Sequence, residues 1–315
     1  MSRLLGRRQC LAAMAAAAVP ATEKALTKAP VCAFSKHFHW TSVAETASMC
    51  AALGFDGIDL TVRPGGHVEP ERVDQDLPRA VEAIRRAGLE VPMVTTAIED
   101  VSTPHAERIL KTLNAVGIRL YRWGDLSYQP NRGIPDQLEE MKPRVKELAG
   151  MNRHYGVTGM YHTHSGINRV GASMWDLYLL LRDIPDRTVA VNYDAGHAVV
   201  EGGFGGWIHS TRLLLPYMRG VAVKDFLWRQ NQNGQWRPGW CALGRGMVDF
   251  PQFFALLNSG GFQGPIQLHI EYGELGSAAS GRKTSTIPKE RFEEIVRRDL
   301  NVLKIFLNQA GLRAG

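Results

Sequence analysis

The side chains with the most chemistry in this chain stand at the ends of short apolar runs. Asp194 closes a run built on Thr188, Val189 and Val191, and His197 follows three residues later in a loop marked by Gly196, Gly202 and Gly203. His162 and His164 end one such run, Lys224-Asp225 another, and His269-Ile-Glu271 a third. Three more end in Ser35-Lys36-His37, in Asp59-Leu-Thr61-Val-Arg63 with His67 beyond, and in Arg122-Trp123. One polar group in such a place is ordinary: taken alone, Asp194 reads as a helix cap and His197 as a loop residue. Seven polar ends meeting at one rim would be strongly desolvated unless they pair or hold a ligand.

Three of these groups have ligand chemistry: His162, Asp194 and Glu271. An imidazole with two carboxylates suits Mn, Zn, Co or Fe better than Mg. His164 shares the face of His162 by period-2 alternation and is a possible fourth ligand. Without a metal, His162 and Asp194 would pair by hydrogen bond. Lys224 can stabilise an enolate or bind a hydroxyl-rich substrate; a plain ion pair with Asp225 is the alternative for the lysine. Lys36, Arg63, His67, His197 and Asp225 offer contacts for sugar hydroxyls or a carboxylate. Trp123, Trp228, Trp236 and Trp240 offer faces for a sugar to stack on, or core filling.

The elements that must position these groups repeat as strand, loop and helix. Strands are expected near 31–35, 57–61, 91–95, 118–123, 157–162, 188–193, 221–224 and 266–271. The helices that follow them are expected near 42–53, 77–87, 104–116, 135–154, 172–181, 207–218, 250–258 and 289–310. Eight units in series with no long linker predict a single (β/α)8 barrel over 30–312, with the chemistry at the carboxyl ends of its strands. Residues 225–245, rich in Trp, Gln, Asn and Gly, read as a long functional insertion after the seventh strand.

Residues 1–21 read as an export signal. Arg7-Arg8 precede a small-residue run too short to anchor in a bilayer, and the pair resembles a twin-arginine leader, which predicts a periplasmic or secreted product. The formal charge of +6 includes that leader, and no basic stripe with interleaved aromatics follows it, which disfavours nucleic acid as a partner. No other segment is apolar over 18 residues, so no membrane span is expected. Cys32, Cys50 and Cys241 lack paired spacing and are expected as free thiols.

Five stretches together resemble the xylose-isomerase-like TIM-barrel superfamily of sugar isomerases and epimerases. They are Gly54-Phe-Asp-Gly-Ile-Asp-Leu60, Tyr193-Asp-Ala-Gly-His197, Val221-Ala-Val-Lys-Asp225, Leu243-Gly-Arg-Gly-Met-Val-Asp249 and Gly264-Pro-Ile-Gln-Leu-His-Ile-Glu271. The resemblance implies a divalent metal held by Glu, Asp, His and Glu from the fifth to eighth strands, with Asp194 and Glu271 matching two of them and His197 contacting substrate. Two positions depart: His162-Thr-His164 stands where Glu-Asn-His is usual, and Ala222 where a His is usual. The implied activity is metal-assisted proton transfer beside a sugar carbonyl, with Glu271 as base and, since one Glu of the usual pair is missing, His162, His164 or Lys224 as its partner. A keto-sugar or keto-glycoside lyase using the same enolate, and a non-catalytic sugar-binding protein, are the alternatives.

Overall fold

Each buried apolar run forms one stave of a closed parallel barrel. The strands are β1 (Val31–Phe34), β2 (Gly57–Val62), β3 (Glu90–Thr96), β4 (Leu120–Trp123), β5 (Thr158–His162), β6 (Val189–Asp194) and β7 (Met218–Val223). A hairpin of β8 (Asp225–Gln230) and β9 (Trp236–Cys241) follows, and β10 (Ile266–Leu268) pairs with β1 to close the ring. The computed structural model describes residues 29–313, so the leader expected over 1–21 lies outside the described residues. The helices are α1 (Val43–Leu53), α2 (Val73–Arg86), α3 (Ala106–Ala115), α4 (Ile134–Tyr155), α5 (Trp175–Leu181), α6 (Ala195–Gly202), α7 (Gly206–Leu214), α8 (Phe250–Ser259) and α9 (Lys289–Gln309). No helix among the described residues is long and apolar enough to cross a membrane.

Local chemistry sets the boundaries that matter. Ser42 and Glu45 form a reciprocal capping box that starts α1, and Gly54 ends it at φ 88°, a left-handed conformation that disfavours any side chain. The first strand stops one residue early because Ser35–Phe38 tighten into a 3-10 turn, and that turn carries Lys36. The expected helix near 207–218 is preceded by α6, which begins directly at Asp194. The expected insertion after β7 is the β8–β9 hairpin.

Most of the apolar core lies between barrel and helices, where residues such as Leu77, Leu113, Leu148 and Leu303 are fully buried. Each such side chain contributes roughly 1.5–3 kcal/mol. Inside the barrel the apolar filling is one thin layer, Met93, Met160 and Ala190 packed with Leu120. Above it, period-2 alternation turns polar side chains inward from nearly every strand, and these make the site.

Candidate active site

A cavity of about 240 Å³ opens at the carboxyl ends of the barrel strands, lined by groups from β1, β2, β4, β5, β6, β7 and β10 or the turns after them. At its centre is Glu271. Its Oε1 accepts from Lys36 Nζ at 2.6 Å and its Oε2 from Lys224 Nζ at 2.8 Å. Burial pushes the Glu271 carboxyl up, but Lys224 and Lys36 outweigh it and hold the group well below the usual carboxylate range. Burial also opposes the charge on Lys224, yet Asp194 and Glu271 keep its pKa above the ordinary lysine value. Lys224 Nζ reaches Asp194 Oδ2 at 3.4 Å and lies 4.3 Å from the centre of the Trp240 ring.

Asp194 both caps a helix and faces the cavity group. Its Oδ1 accepts from the His197 backbone N–H at 3.0 Å, starting α6, while Oδ2 has no hydrogen-bond partner. His162 Nε2 stands 3.6 Å from that oxygen. His269 stacks on Phe34 at 4.4 Å with both ring nitrogens unpartnered. Burial drives both imidazoles well below the usual histidine pKa, so they are neutral. His197 bonds Ser165 Oγ through Nδ1 at 2.7 Å and packs edge-on against Trp240. His164, 3.4 Å from Arg122, is driven by burial down to about pKa 2.

The donor set fits a divalent metal. His162, Asp194 and His269 each offer a ligand atom, all within 4.8 Å of one another and all buried. Both His269 nitrogens lack partners, an unfavourable state for buried polar atoms, and Asp194 Oδ2 makes no hydrogen bond, with the Lys224 ammonium at 3.4 Å and His162 Nε2 at 3.6 Å as its charged and polar neighbours. Asn192 lies 3.2 Å from His162 Nδ1, and its Oδ1 is unpartnered; with the amide turned over, it would accept from Nδ1–H and free Nε2 to ligate. Two imidazoles and a carboxylate suit Zn, Mn, Co or Fe. The grouping differs from the sequence expectation in one member. His269, not Glu271, completes the close set, and the two Glu271 oxygens are engaged by lysines instead. Ala222, between Asp194 and Gln267 in register, offers no ligand.

Lys36, Arg63, His164, His197 and Lys224 border the cavity as expected. Trp123, His67 and Asp225 do not. Trp123 is buried in the barrel wall, edge-on to Tyr161 at 5.1 Å. His67 packs against His39 and Thr46 beside α1. Asp225 accepts from the backbone N–H groups of Phe226, Gly244, Gly246 and Val248, tying the hairpin to the loop after it. Asp225→Ala leaves these donors unmatched. We expect a loss of about 3 kcal/mol or more in urea denaturation. The strand-end pattern places Arg122 and His269 at the rim but gives them no role there, and it does not single out Phe34. Period-2 alternation from Glu271 is the available signal for His269, and the pairing of Arg122 with Met160, two residues before His162, is what puts Arg122 on the inward face.

Asp59 lies below the cavity, 1 % exposed, with Thr95 Oγ1 donating to both its oxygens. Burial pushes its pKa up to about 7, against the pull of Thr95, Arg122 and Arg63. Between about pH 4 and 7 the folded chain therefore keeps a proton that the unfolded chain releases, and stability falls as pH rises through that window. Asp59→Asn removes this dependence. Its advantage over the wild type in chemical denaturation should grow by on the order of 2 kcal/mol from pH 5 to pH 8.

A larger hollow, about 640 Å³, lies at the opposite end of the barrel. Its carboxylate Asp56 is paired with Arg313 at 2.9 Å, and it gathers no cluster of ligand or proton-transfer groups.

The sequence profile of the xylose isomerase-like TIM barrel matches residues 47–304. A search of curated proteins finds no match. Among solved structures, the chain is similar to a 3-keto-D-glucoside 4-epimerase from E. coli, at 15 % identity and TM-score 0.63, covering 88 % of this chain and all (100 %) of that one. It is similar to a D-allulose 3-epimerase from Methylomonas sp., at 14 % identity and TM-score 0.63, covering 89 % and 97 %. It is also similar to a xylose isomerase-like barrel from Mycobacterium smegmatis solved in complex with magnesium, at 16 % identity and TM-score 0.61, covering 89 % and 97 %.

Proposed function

Because the chain belongs to the xylose isomerase-like TIM-barrel family, we propose that the barrel mouth is the active site of an exported sugar isomerase or epimerase that moves a proton on the carbon beside a carbonyl. The observation that carries this reading is the Lys36–Glu271–Lys224 array in a cavity of one sugar's scale. Glu271 is an ionised carboxylate able to take a proton from carbon. The two ammonium groups that hold it can turn to the oxygen on which negative charge develops, and the carboxylate becomes more basic as they leave it. Lys224 returns a proton to carbon and regains one from Glu271, its partner at 2.8 Å, whereas His164, held neutral by burial, has none to give. Return to the opposite face of the same carbon gives an epimer; return to the neighbouring carbon gives an isomer. Arg63 and Arg122 bind substrate oxygens, and Trp240 closes one side.

His162, Asp194 and His269 would hold a divalent metal, which when bound supplies Lewis-acid polarisation of the carbonyl. The magnesium in the Mycobacterium smegmatis neighbour supports a metal here, while the two imidazoles favour a first-row transition metal or zinc.

The test is a substrate screen of purified protein with Mn²⁺, Co²⁺ or Zn²⁺. D-Allulose and 3-keto-D-glucosides, the sugars of the Methylomonas and E. coli neighbours, are the first panel, with products read by NMR. Epimer or isomer formation supports the reading. Loss of a glycosidic leaving group would mark a lyase using the same proton abstraction. Binding without turnover across the panel would contradict the enzyme reading in favour of a sugar-binding protein. Export rests on Arg7-Arg8. Replacing both with Lys should retain the protein in the cytoplasm, as read by cell fractionation.

A further inference from the structure

The β8–β9 hairpin carries an aromatic face that begins in the cavity and runs out to solvent. Its register pairs Phe226 with Trp240, Trp228 with Pro238 and Gln230 with Trp236, so these six side chains share one face. The rings are in contact along it: Phe226 lies edge-on to Trp240 at 6.3 Å and to Trp228 at 6.0 Å. Trp240 is also a wall of the cavity, over Lys224. Further out, Trp228 is 40 % and Trp236 59 % exposed. Arg229 and Arg237, paired with each other, alternate onto the other face, which leaves the aromatic one without charge.

We propose that this face is a binding subsite for the second and third rings of a glycoside whose reacting ring occupies the cavity. The inference rests on the reading of the cavity as a sugar site, and adds the class of sugar: an oligosaccharide or aryl glycoside rather than a free monosaccharide. At about 240 Å³ the cavity is below the ~300 Å³ at which small-molecule pockets ordinarily begin, so rings beyond the first must lie outside it. What flanks the mouth at that point is the hairpin. A pyranose presents an apolar C–H face that stacks on indole, and its hydroxyl edges need neutral polar groups such as Gln230. Indole rings are rigid and amphipathic, so they bind with little loss of side-chain freedom. Continuity with the cavity selects this occupant, because along the shared face a ligand leaving over Trp240 meets Pro238 and its pair Trp228 next, over the buried Phe226 ring.

The experiment is calorimetric titration of methyl β-glucoside, cellobiose and cellotriose, and of maltose and maltotriose, into the full-length mature protein, Trp228→Ala, Trp236→Ala and the double variant. Both indoles are exposed, so the variants fold. The wild type should bind at least one disaccharide or trisaccharide about tenfold more tightly than the monosaccharide, the scale of one good aromatic contact. The double variant should lose that gain and keep monosaccharide affinity. Equal affinity for one, two and three rings overturns the subsite while leaving the sugar site standing. No binding by any member overturns the subsite if a keto-sugar of the substrate screen still binds, and contradicts the sugar site itself if none does. Conversion of a dimer to a monomer in the double variant, with sugar affinities unchanged, overturns the subsite in favour of a second copy of the chain on this face.

Discussion

Glu271→Gln lowers turnover by at least about 10³-fold while the barrel stays folded. The amide keeps the shape of the side chain but can neither accept a proton from carbon nor match two ammonium charges. Lys36 and Lys224 lose their shared acceptor, and only Asp194, 3.4 Å from Lys224, remains. Leaving a buried charge unmatched is expected to lower stability by about 3 kcal/mol, read as a lower denaturation midpoint. Two effects must therefore be separated. Adding Lys36→Met to Glu271→Gln removes one unmatched ammonium and should recover part of the stability. Turnover should stay lost. Recovery of turnover with stability would mean that Glu271 acts only as a structural counter-ion.

His269→Ala is the second large effect, and its readout is metal affinity. If His162, Asp194 and His269 form the donor set, removing one imidazole leaves two ligands. Cobalt(II) or zinc affinity should fall by at least about 100-fold, beyond the ~10–100-fold typical of losing a group that only orients a ligand. Glu271→Gln should leave metal affinity within a few-fold of the wild type, because its oxygens are occupied by Lys36 and Lys224. The opposite pattern, loss of metal in Glu271→Gln and retention in His269→Ala, would return Glu271 to the ligand set. Equal, weak binding by all three proteins would contradict a metal at this position.

Much of the fold was legible in the sequence, because each of the eight strands is a short apolar run bounded by turn residues. The cluster of ionisable groups was legible too, since closing the barrel brings every strand end to one mouth. Which of those groups pair was not legible. His269 and Glu271 are two residues apart on the same inward face, and alternation cannot rank them. Lys36 decides the matter, and it comes from the turn at Ser35–Phe38, whose path a strand pattern does not give. The same limit applies to Trp123 and Asp225. A strand-end Trp is inward or outward by one step of register, and a carboxylate after a strand can as well gather backbone N–H groups as face a ligand. Asp194 caps α6 with one oxygen and sets the other beside His162 and Lys224, so the capping and the functional readings of Asp-Ala-Gly-His are compatible.

The central claim is that Glu271 moves a proton between solvent and the carbon beside a sugar carbonyl. Its most direct test is exchange in D₂O. Wild-type and Glu271→Gln proteins are incubated with the keto-sugar panel and added metal, and deuterium at each carbon is followed by NMR and mass spectrometry. The wild type should place one solvent deuterium on the carbon next to the carbonyl of at least one panel sugar, and Glu271→Gln should place none above the rate without protein. Equal deuterium incorporation by both proteins, or none by the wild type for any sugar that it demonstrably binds, would contradict the account.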